Sequence, residues 1–273
     1  MTRVLITGGS GQLGRELVDV FDGAVATDES SLDITDRDAV VGAITSLQPD
    51  VIVHTAAWTD VDGCEADTAR AMQVNALGTR HVADGARRVG AHVVYVSTDY
   101  VFDGTKPVPY DEWDLPAPRS VYGRSKLGGE RELDPGATIV RTSWLFGRHG
   151  SNFVKTILRA TGELRVVDDQ RGCPTAAADL AAVVRQLAVG RLPGVFHVTN
   201  QGHTTWFELA RDILIAADDD PARVVPISTA ELGRPAPRPA NSVLDNAALR
   251  LIGIPLAADH HEPLERLVKE LVS

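Results

Sequence analysis

Apolar residues along the chain switch repeatedly between two periods. Residues 3–7 (RVLIT) form a short β-branched run that gives way to GGSGQLGRELVDVF, where Leu13, Leu17, Val18 and Phe21 recur at helical spacing. The pattern predicts strand, glycine turn, helix. It then repeats: AVATD (24–28) as a strand, a helix over 36–47, DVIVHTAA (50–57) as a strand, a long helix over 66–89, and AHVVYVST (91–98) as a fourth strand. A loop to about 119, a helix opening near Val121 and the strand ATIVRTSW (137–144) follow. Nearly continuous apolar strands that alternate with helices predict an α/β fold, a Rossmann-like doubly wound parallel sheet covered on both faces.

Past Phe146 the periods become less regular. GVFHVTN (194–200) reads as one more strand of the same sheet, whereas 148–174 and 201–273 hold short helices and the proline-rich GRPAPRPANS (233–242). Residues 1–147 plus 175–200 are therefore expected to form a dinucleotide-binding domain. Residues 148–174 plus 201–273 are expected to form a smaller α/β substrate-binding lobe over the carboxyl ends of the strands, where ligands bind in such sheets.

Composition narrows the class. With 44% hydrophobic and 23% charged residues among 273, the chain reads as globular. It has no apolar run of about 20 residues and no leader-like amino terminus, so a cytoplasmic protein with no membrane partner is expected. A formal charge of −10 argues against a nucleic-acid partner. The two cysteines, Cys64 and Cys173, show no metal-ligand spacing and read as core or surface thiols. No metal-binding residue is assigned. Only four of the 27 basic residues are lysines, so a lysine beside candidate chemistry carries weight.

TGGSGQLG supplies such chemistry. Gly8, Gly9, Gly11 and Gly14 follow a strand and open a helix, where glycines let the backbone approach a pyrophosphate at the positive helix end. Asp28 ends the second strand, placed to accept hydrogen bonds from ribose hydroxyls. No arginine or lysine adjoins it, which favours NADH over NADPH. Asp33 and Ile34 of LDIT stand where adenine would be sandwiched, or equally where the next helix is capped.

Tyr122 and Lys126, four apart in VYGRSKLGGE, share a helix face. A phenol with an ordinary pKa of about 10 needs a nearby cation to exchange protons at neutral pH, and Lys126 would supply it while holding the nicotinamide ribose. VYVSTDYVFDG (94–104) begins as a strand and ends in Ser97, Thr98, Asp99 and Tyr100. The cluster is expected to leave the sheet into the site, with Thr98 and Tyr122 on one substrate oxygen; the competing reading is a helix or turn cap. An acidic protein that binds a diphosphate needs local cations, and Arg238 is the candidate. Gln170 and Thr175 read equally as site residues or as loop-structuring groups.

TGGSGQLG, PDVIVHTAAWTDVDGCE (49–65), VSTDYVFDG, VYGRSKLGGE, RTSWLFG (141–147), DDQRGCPT (168–175) and RPANSVL (238–244) together resemble, nearly end to end, the extended short-chain dehydrogenases/reductases, and within them the dTDP-4-dehydrorhamnose reductase family. The resemblance implies that Thr98, Tyr122 and Lys126 are catalytic and that Gly8, Gly11, Gln12, Leu13, Asp28, Asp33, Ile34, Ala56 and Ala57 border an NADPH or NADH cofactor. Thr98, Asp99, Tyr100 and Trp144 would touch a sugar nucleotide. Trp58 departs from the smaller aromatic residue or histidine expected there. A homodimer is left open, as is a divalent ion at its contact, for which Glu16 could match one ligand.

The implied reaction is reduction of the C4 ketone of dTDP-6-deoxy-L-lyxo-4-hexulose to dTDP-L-rhamnose. Three alternatives stand beside it: a reductase of another nucleotide-linked 4-keto-6-deoxysugar (streptose-type), a 4,6-dehydratase or epimerase, and a non-catalytic dinucleotide-binding subunit like the regulatory one of methionine adenosyltransferase. Dehydratases carry Asp-Glu after the threonine. Here Asp99 is followed by Tyr100.

Overall fold

The computed structural model describes residues 2–273. Its centre is a six-stranded parallel sheet that contains β1 (Val4–Thr7), β2 (Val25–Thr27), β3 (Val51–His54), β4 (His92–Thr98), β5 (Thr138–Thr142) and the edge strand Gly194–His197. Across the sheet they lie in the order edge strand, β5, β4, β3, β1, β2. The order reverses between β1 and β3, so the carboxyl ends of those strands open a crevice suited to a ligand.

Helices α1 (Gln12–Val20) and α2 (Arg37–Leu47) are the first two crossovers. Asp36 caps α2 by accepting from the Ala39 amide at 3.0 Å. The long helix expected over 66–89 runs continuously over 68–89, with a π-helical turn inside it. α3 (Val61–Ala66) and α4 (Thr68–Met72) lead through a π-helical turn (Gln73–Leu77) into α5 (Gly78–Val89). Such turns concentrate at functional sites, and this one carries Asn75, whose part is described below. α6 (Val121–Arg131), α7 (Phe153–Arg159), α8 (Ala177–Gly190) and α9 (Trp206–Ala216) follow, with the carboxyl-terminal helix His261–Val272 last. No helix of the described residues is long and apolar enough to cross a membrane.

Burial follows the layers. Ile6, Val53, Val94 and Val140 on one sheet face pack with Leu17 of α1 and Leu180, Val184 and Leu187 of α8. Ile52, Leu5 and Val93 pack on the other face against Val40 and Ile44 of α2 and Val82 of α5. A further core unites Phe146, Val154, Ile157, Leu209, Ile213, Leu214, Leu264 and Val268 from the later segments. Ala248 and Leu249 join the sheet's core rather than this one.

Candidate active site

The turn after β1 shows why glycine stands there. Gly8 has φ of +75°, and a Cβ on it would lie 2.7 Å from the Ala56 amide nitrogen. Gly11 caps α1 with no side chain on the helix end, and the first turn carries no acidic residue. The amide groups at the positive end of α1 therefore meet no protein anion, the arrangement a pyrophosphate fits.

A cleft of about 700 Å³ runs from this turn across the strand ends, lined by Gly8, Gly11, Gln12, Leu13 and Asp28 at one end and by Ala56 and Ala57 along its wall. Thr98, Asp99, Tyr100, Tyr122, Lys126, Trp144 and Trp206 line its other end. Beside it, Asp33, Ile34, Ala56, Ala57, Trp58 and Arg70 line a second hollow of about 440 Å³. Arg70 lies 4.6 Å over the Trp58 ring, so the residue that departs from expectation forms part of that wall. Asp28 accepts from the amides and hydroxyls of Ser30 and Ser31 through Oδ1, and those bonds hold its carboxyl below the usual range. Asp33 accepts from the amide and hydroxyl of Thr35, both at 2.8 Å.

Two readings of the polar cluster hold together. Thr98 ends β4, and its Oγ1 accepts from the Tyr100 amide at 3.2 Å, capping a single 3₁₀ turn over Asp99–Val101. The same hydroxyl donates to Asp99 Oδ1 at 2.9 Å and faces the Tyr122 phenol closely enough to oppose the rise of its pKa. Asp99 is buried and its Oδ2 has no partner. Burial pushes its carboxyl up to about 6 against the hydrogen bonds of Ser242 and Thr98.

α6 is held against this turn at close range. A Cβ on Gly123 would fall 2.1 Å from the Tyr100 carbonyl oxygen, so only glycine permits the approach. Ser120 caps the helix, and Glu65 at the end of α3 accepts from the Val121 amide at 2.6 Å. Tyr122 meets the Tyr100 ring edge-on at 5.7 Å. Lys126 is buried, donating to the Val96 carbonyl at 2.8 Å with its Nζ 4.2 Å over the Tyr95 ring. Burial pushes this ammonium down to about 7, with Glu130 opposing. Burial also raises the Tyr122 phenol well above its ordinary value, outweighing the Thr98 hydrogen bond. Tyr122 therefore keeps its proton at neutral pH.

Trp144 has φ of +45°, a left-handed backbone that is strained for a bulky residue. Its ring stacks on Trp206 at 3.6 Å and 10°, and Phe153 meets Trp206 edge-on at 4.6 Å. The strain puts an aromatic face of the later segments against the cleft. Arg238 does not line the cleft itself but is near enough for its charge to act on the Tyr100 phenol, and its guanidinium donates to both Asp62 oxygens at 2.8 and 3.0 Å. That pairing commits the cation expected for a diphosphate. Gln170 donates to Thr229 and Thr175 to the Cys173 carbonyl, which is the loop-structuring role. Both cysteines are buried. Glu16 accepts from Arg148 at 3.1 and 3.2 Å, with Asp19 and His149 beside it, so its carboxylate is already paired.

Several contributors went unread in the sequence. Asn75, on the π-helical turn, accepts from the Trp58 amide at 2.8 Å and donates to the Trp58 carbonyl and to Ser125 Oγ, which in turn donates to the Tyr122 carbonyl. Trp206 opens α9, where Thr205 and Glu208 form a capping box; that signature was available in HTTWFEL. Nothing local in the sequence marked Asn75.

Across residues 1–273 the chain matches the family described as RmlD substrate binding domain. It is 44% identical to a dTDP-4-dehydrorhamnose reductase of Streptomyces griseus, over 92% of this chain and 88% of the relative. It is 42% identical to a probable dTDP-4,6-dihydroxy-2-methyloxan-3-one 4-ketoreductase of Streptomyces antibioticus, over 99% and 96% of the two chains. The crystal structure of a dTDP-4-dehydrorhamnose reductase from Bacillus anthracis in complex with NADP superposes with a TM-score of 0.95 at 41% identity, covering 98% of this chain and 99% of that one.

Proposed function

The chain belongs to the RmlD substrate binding domain family, and from that premise we propose that it is an NAD(P)H-dependent oxidoreductase of dTDP-rhamnose biosynthesis, reducing the C4 ketone of dTDP-6-deoxy-L-lyxo-4-hexulose to give dTDP-L-rhamnose. The observation that carries the reading is the meeting of Thr98, Tyr122 and Lys126 with the glycine turn in one cleft. The uncapped end of α1 and the Gly8 approach to Ala56 fit a dinucleotide pyrophosphate. Gly11, Gln12 and Leu13 would hold it, Asp28 the adenosine ribose, and Asp33 and Ile34 with Ala56 and Ala57 the adenine end. When bound, the reduced nicotinamide supplies the hydride for C4.

The chain's own groups do the rest. Tyr122, kept protonated by burial, donates its proton to the C4 oxygen as negative charge develops there. Thr98, by turning its one hydroxyl proton from Asp99 Oδ1 to the same oxygen, polarises it. Lys126 brings its ammonium to the ribose side. Its fall to about 7 comes from burial, so an anionic ligand in the cleft favours its charged form. Tyr100 follows Asp99 where dehydratases need a carboxylic acid. Its phenol is itself pushed above the ordinary range by burial, which keeps it protonated and leaves no phenolate to serve as a base at neutral pH. Asp99, Tyr100 and Trp144 are assigned to the sugar nucleotide, with residues 1–147 plus 175–200 as the dinucleotide-binding domain and 148–174 plus 201–273 as a substrate lobe anchored in the sheet's core through Ala248 and Leu249. Arg238, paired with Asp62 through Nη1 and Nη2, is assigned as the cation for the diphosphate.

Incubation with dTDP-4-keto-6-deoxyglucose, a 3,5-epimerase and either NADPH or NADH tests the proposal. One reduced nicotinamide should be consumed per ketosugar, with dTDP-L-rhamnose identified by NMR, and dTDP-glucose should not be converted. Product from dTDP-glucose without net oxidation of the cofactor would overturn the reductase reading, because a dehydratase recycles its nicotinamide within one turnover.

Trp144→Ala is expected to weaken sugar-nucleotide binding about tenfold, the size of one aromatic stacking contact, while the affinity for NADPH stays within about twofold. Calorimetry with each ligand separates the roles. Equal losses for both ligands, or loss of the fold, would make Trp144 a core residue.

A further inference from the structure

Away from the cleft, the later segments bring together a group of side chains that neither the fold nor the proposed reaction explains. His260 and His261 stand at the start of the carboxyl-terminal helix His261–Val272, and Asp212 faces them from α9. One ring nitrogen from each histidine and one Asp212 oxygen lie within 4.8 Å of one another. His260 is 1% exposed, and its Nε2 is buried with no hydrogen-bond partner. An orphaned imidazole nitrogen in the interior is costly unless something accepts its lone pair or its proton.

The other nitrogens are already committed. His260 Nδ1 lies 3.1 Å from the Gln201 carbonyl and His261 Nδ1 lies 2.6 Å from Asp259 Oδ1. Each acceptor places the proton on Nδ1 and leaves the Nε2 lone pair free. This is the outer-shell arrangement that fixes the tautomer of metal-binding histidines. His261 Nε2 lies 3.4 Å from Asp212 Oδ2. A tetrahedral ion with arms of about 2.0 Å has ligand atoms roughly 3.3 Å apart, so this edge already has the required length.

We propose that His260, His261 and Asp212 form a binding site for a divalent transition metal of the zinc class, coordinated through the two Nε2 atoms and one carboxylate oxygen, with water in the fourth position. Two imidazoles and one carboxylate suit zinc, cobalt or nickel; magnesium and calcium take all-oxygen shells. The helix dipole at His261 opposes a cation, and the negative charges of Asp212 and Asp259 offset it. The ion ties α9 to the last helix, closing the core of Leu209, Ile213, Leu264 and Val268. The site is therefore structural and independent of the reaction.

The test uses the full chain after chelation. Titration calorimetry with Zn²⁺ should show one saturable equivalent, Co²⁺ should give the intense visible d–d bands of a tetrahedral site, and Zn²⁺ should raise Tm. His261→Ala and Asp212→Asn alter side chains that are 56% and 31% exposed, so both variants should fold, as far-ultraviolet circular dichroism would verify. Each should weaken Zn²⁺ at least about tenfold and abolish the Tm rise. His149→Ala, in the separate Glu16, Asp19 and His149 group, should leave affinity within about twofold. Absence of saturable binding by the parent, binding unchanged in His261→Ala and Asp212→Asn, or binding lost in His149→Ala would each overturn the proposal.

Discussion

Tyr122→Phe lowers turnover of the ketosugar by about 10²- to 10⁴-fold, the usual contribution of a positioned proton donor, and leaves the fold and NADPH binding intact. The substitution removes one hydroxyl. The ring keeps its edge-on contact with Tyr100, and Thr98 keeps its bond to Asp99, so the cleft retains its shape. No neighbour replaces the lost donor. The Tyr100 phenol binds its proton even more firmly than an ordinary phenol, and Asp99, at about 6, is largely ionised at neutral pH. Single-turnover rates at saturating substrate, with NADPH affinity measured alongside, check the outcome; a variant that reduces the ketosugar at the parental rate removes Tyr122 from the mechanism.

Arg141→Met destabilises the protein by about 3–5 kcal/mol, because it leaves the buried Glu130 carboxylate without its partner. Arg141 donates to both Glu130 oxygens at 2.7 and 2.9 Å, and the two side chains are 4% and 5% exposed. Ser97 donates to the same carboxylate at 2.5 Å. The pair therefore joins β5 and β4 to α6, one turn beyond Lys126, and holds the helix that carries both Tyr122 and Lys126. A fall in the denaturant midpoint should come with a lower kcat. The double variant Glu130→Leu, Arg141→Met should regain most of the stability, since removing both charges also removes their burial cost. If Arg141→Met unfolds at the parental midpoint, the pair contributes nothing.

What the sequence made legible was whatever repeats locally. β1 through β5 and the edge strand were marked by apolar runs, and the glycine turn, Tyr122, Lys126 and Thr98 by spacing or by the end of a strand. α8 was legible as well: Leu180, Val183, Val184 and Leu187 recur at three and four. The π-helical turn could not be read, because one extra residue in a helical register leaves no compositional trace. Its effect, the reach of Asn75 to Trp58 and Ser125, depends on residues 17 and 50 positions away. Arg238 was assigned from the need for a cation, and pattern alone does not disclose that Asp62 neutralises it from 176 positions away. The burial that raises the Tyr122 phenol is likewise a property of depth, which spacing does not encode.

The strand order has a consequence for how the chain comes to be folded at all. β5 pairs with β4 on one side and with the edge strand on the other, where Thr138 meets Gly194, more than fifty residues later. During synthesis at about 5–20 residues per second, β5 therefore stands for roughly 3–10 s as an unpaired parallel edge, with α7 and α8 emerging while its hydrogen bonds wait. Pairings this distant must close a long loop before they are rewarded, which slows folding and prolongs the exposure of a sticky edge. The segment between β5 and the edge strand thus makes the nascent chain dependent on its own later half.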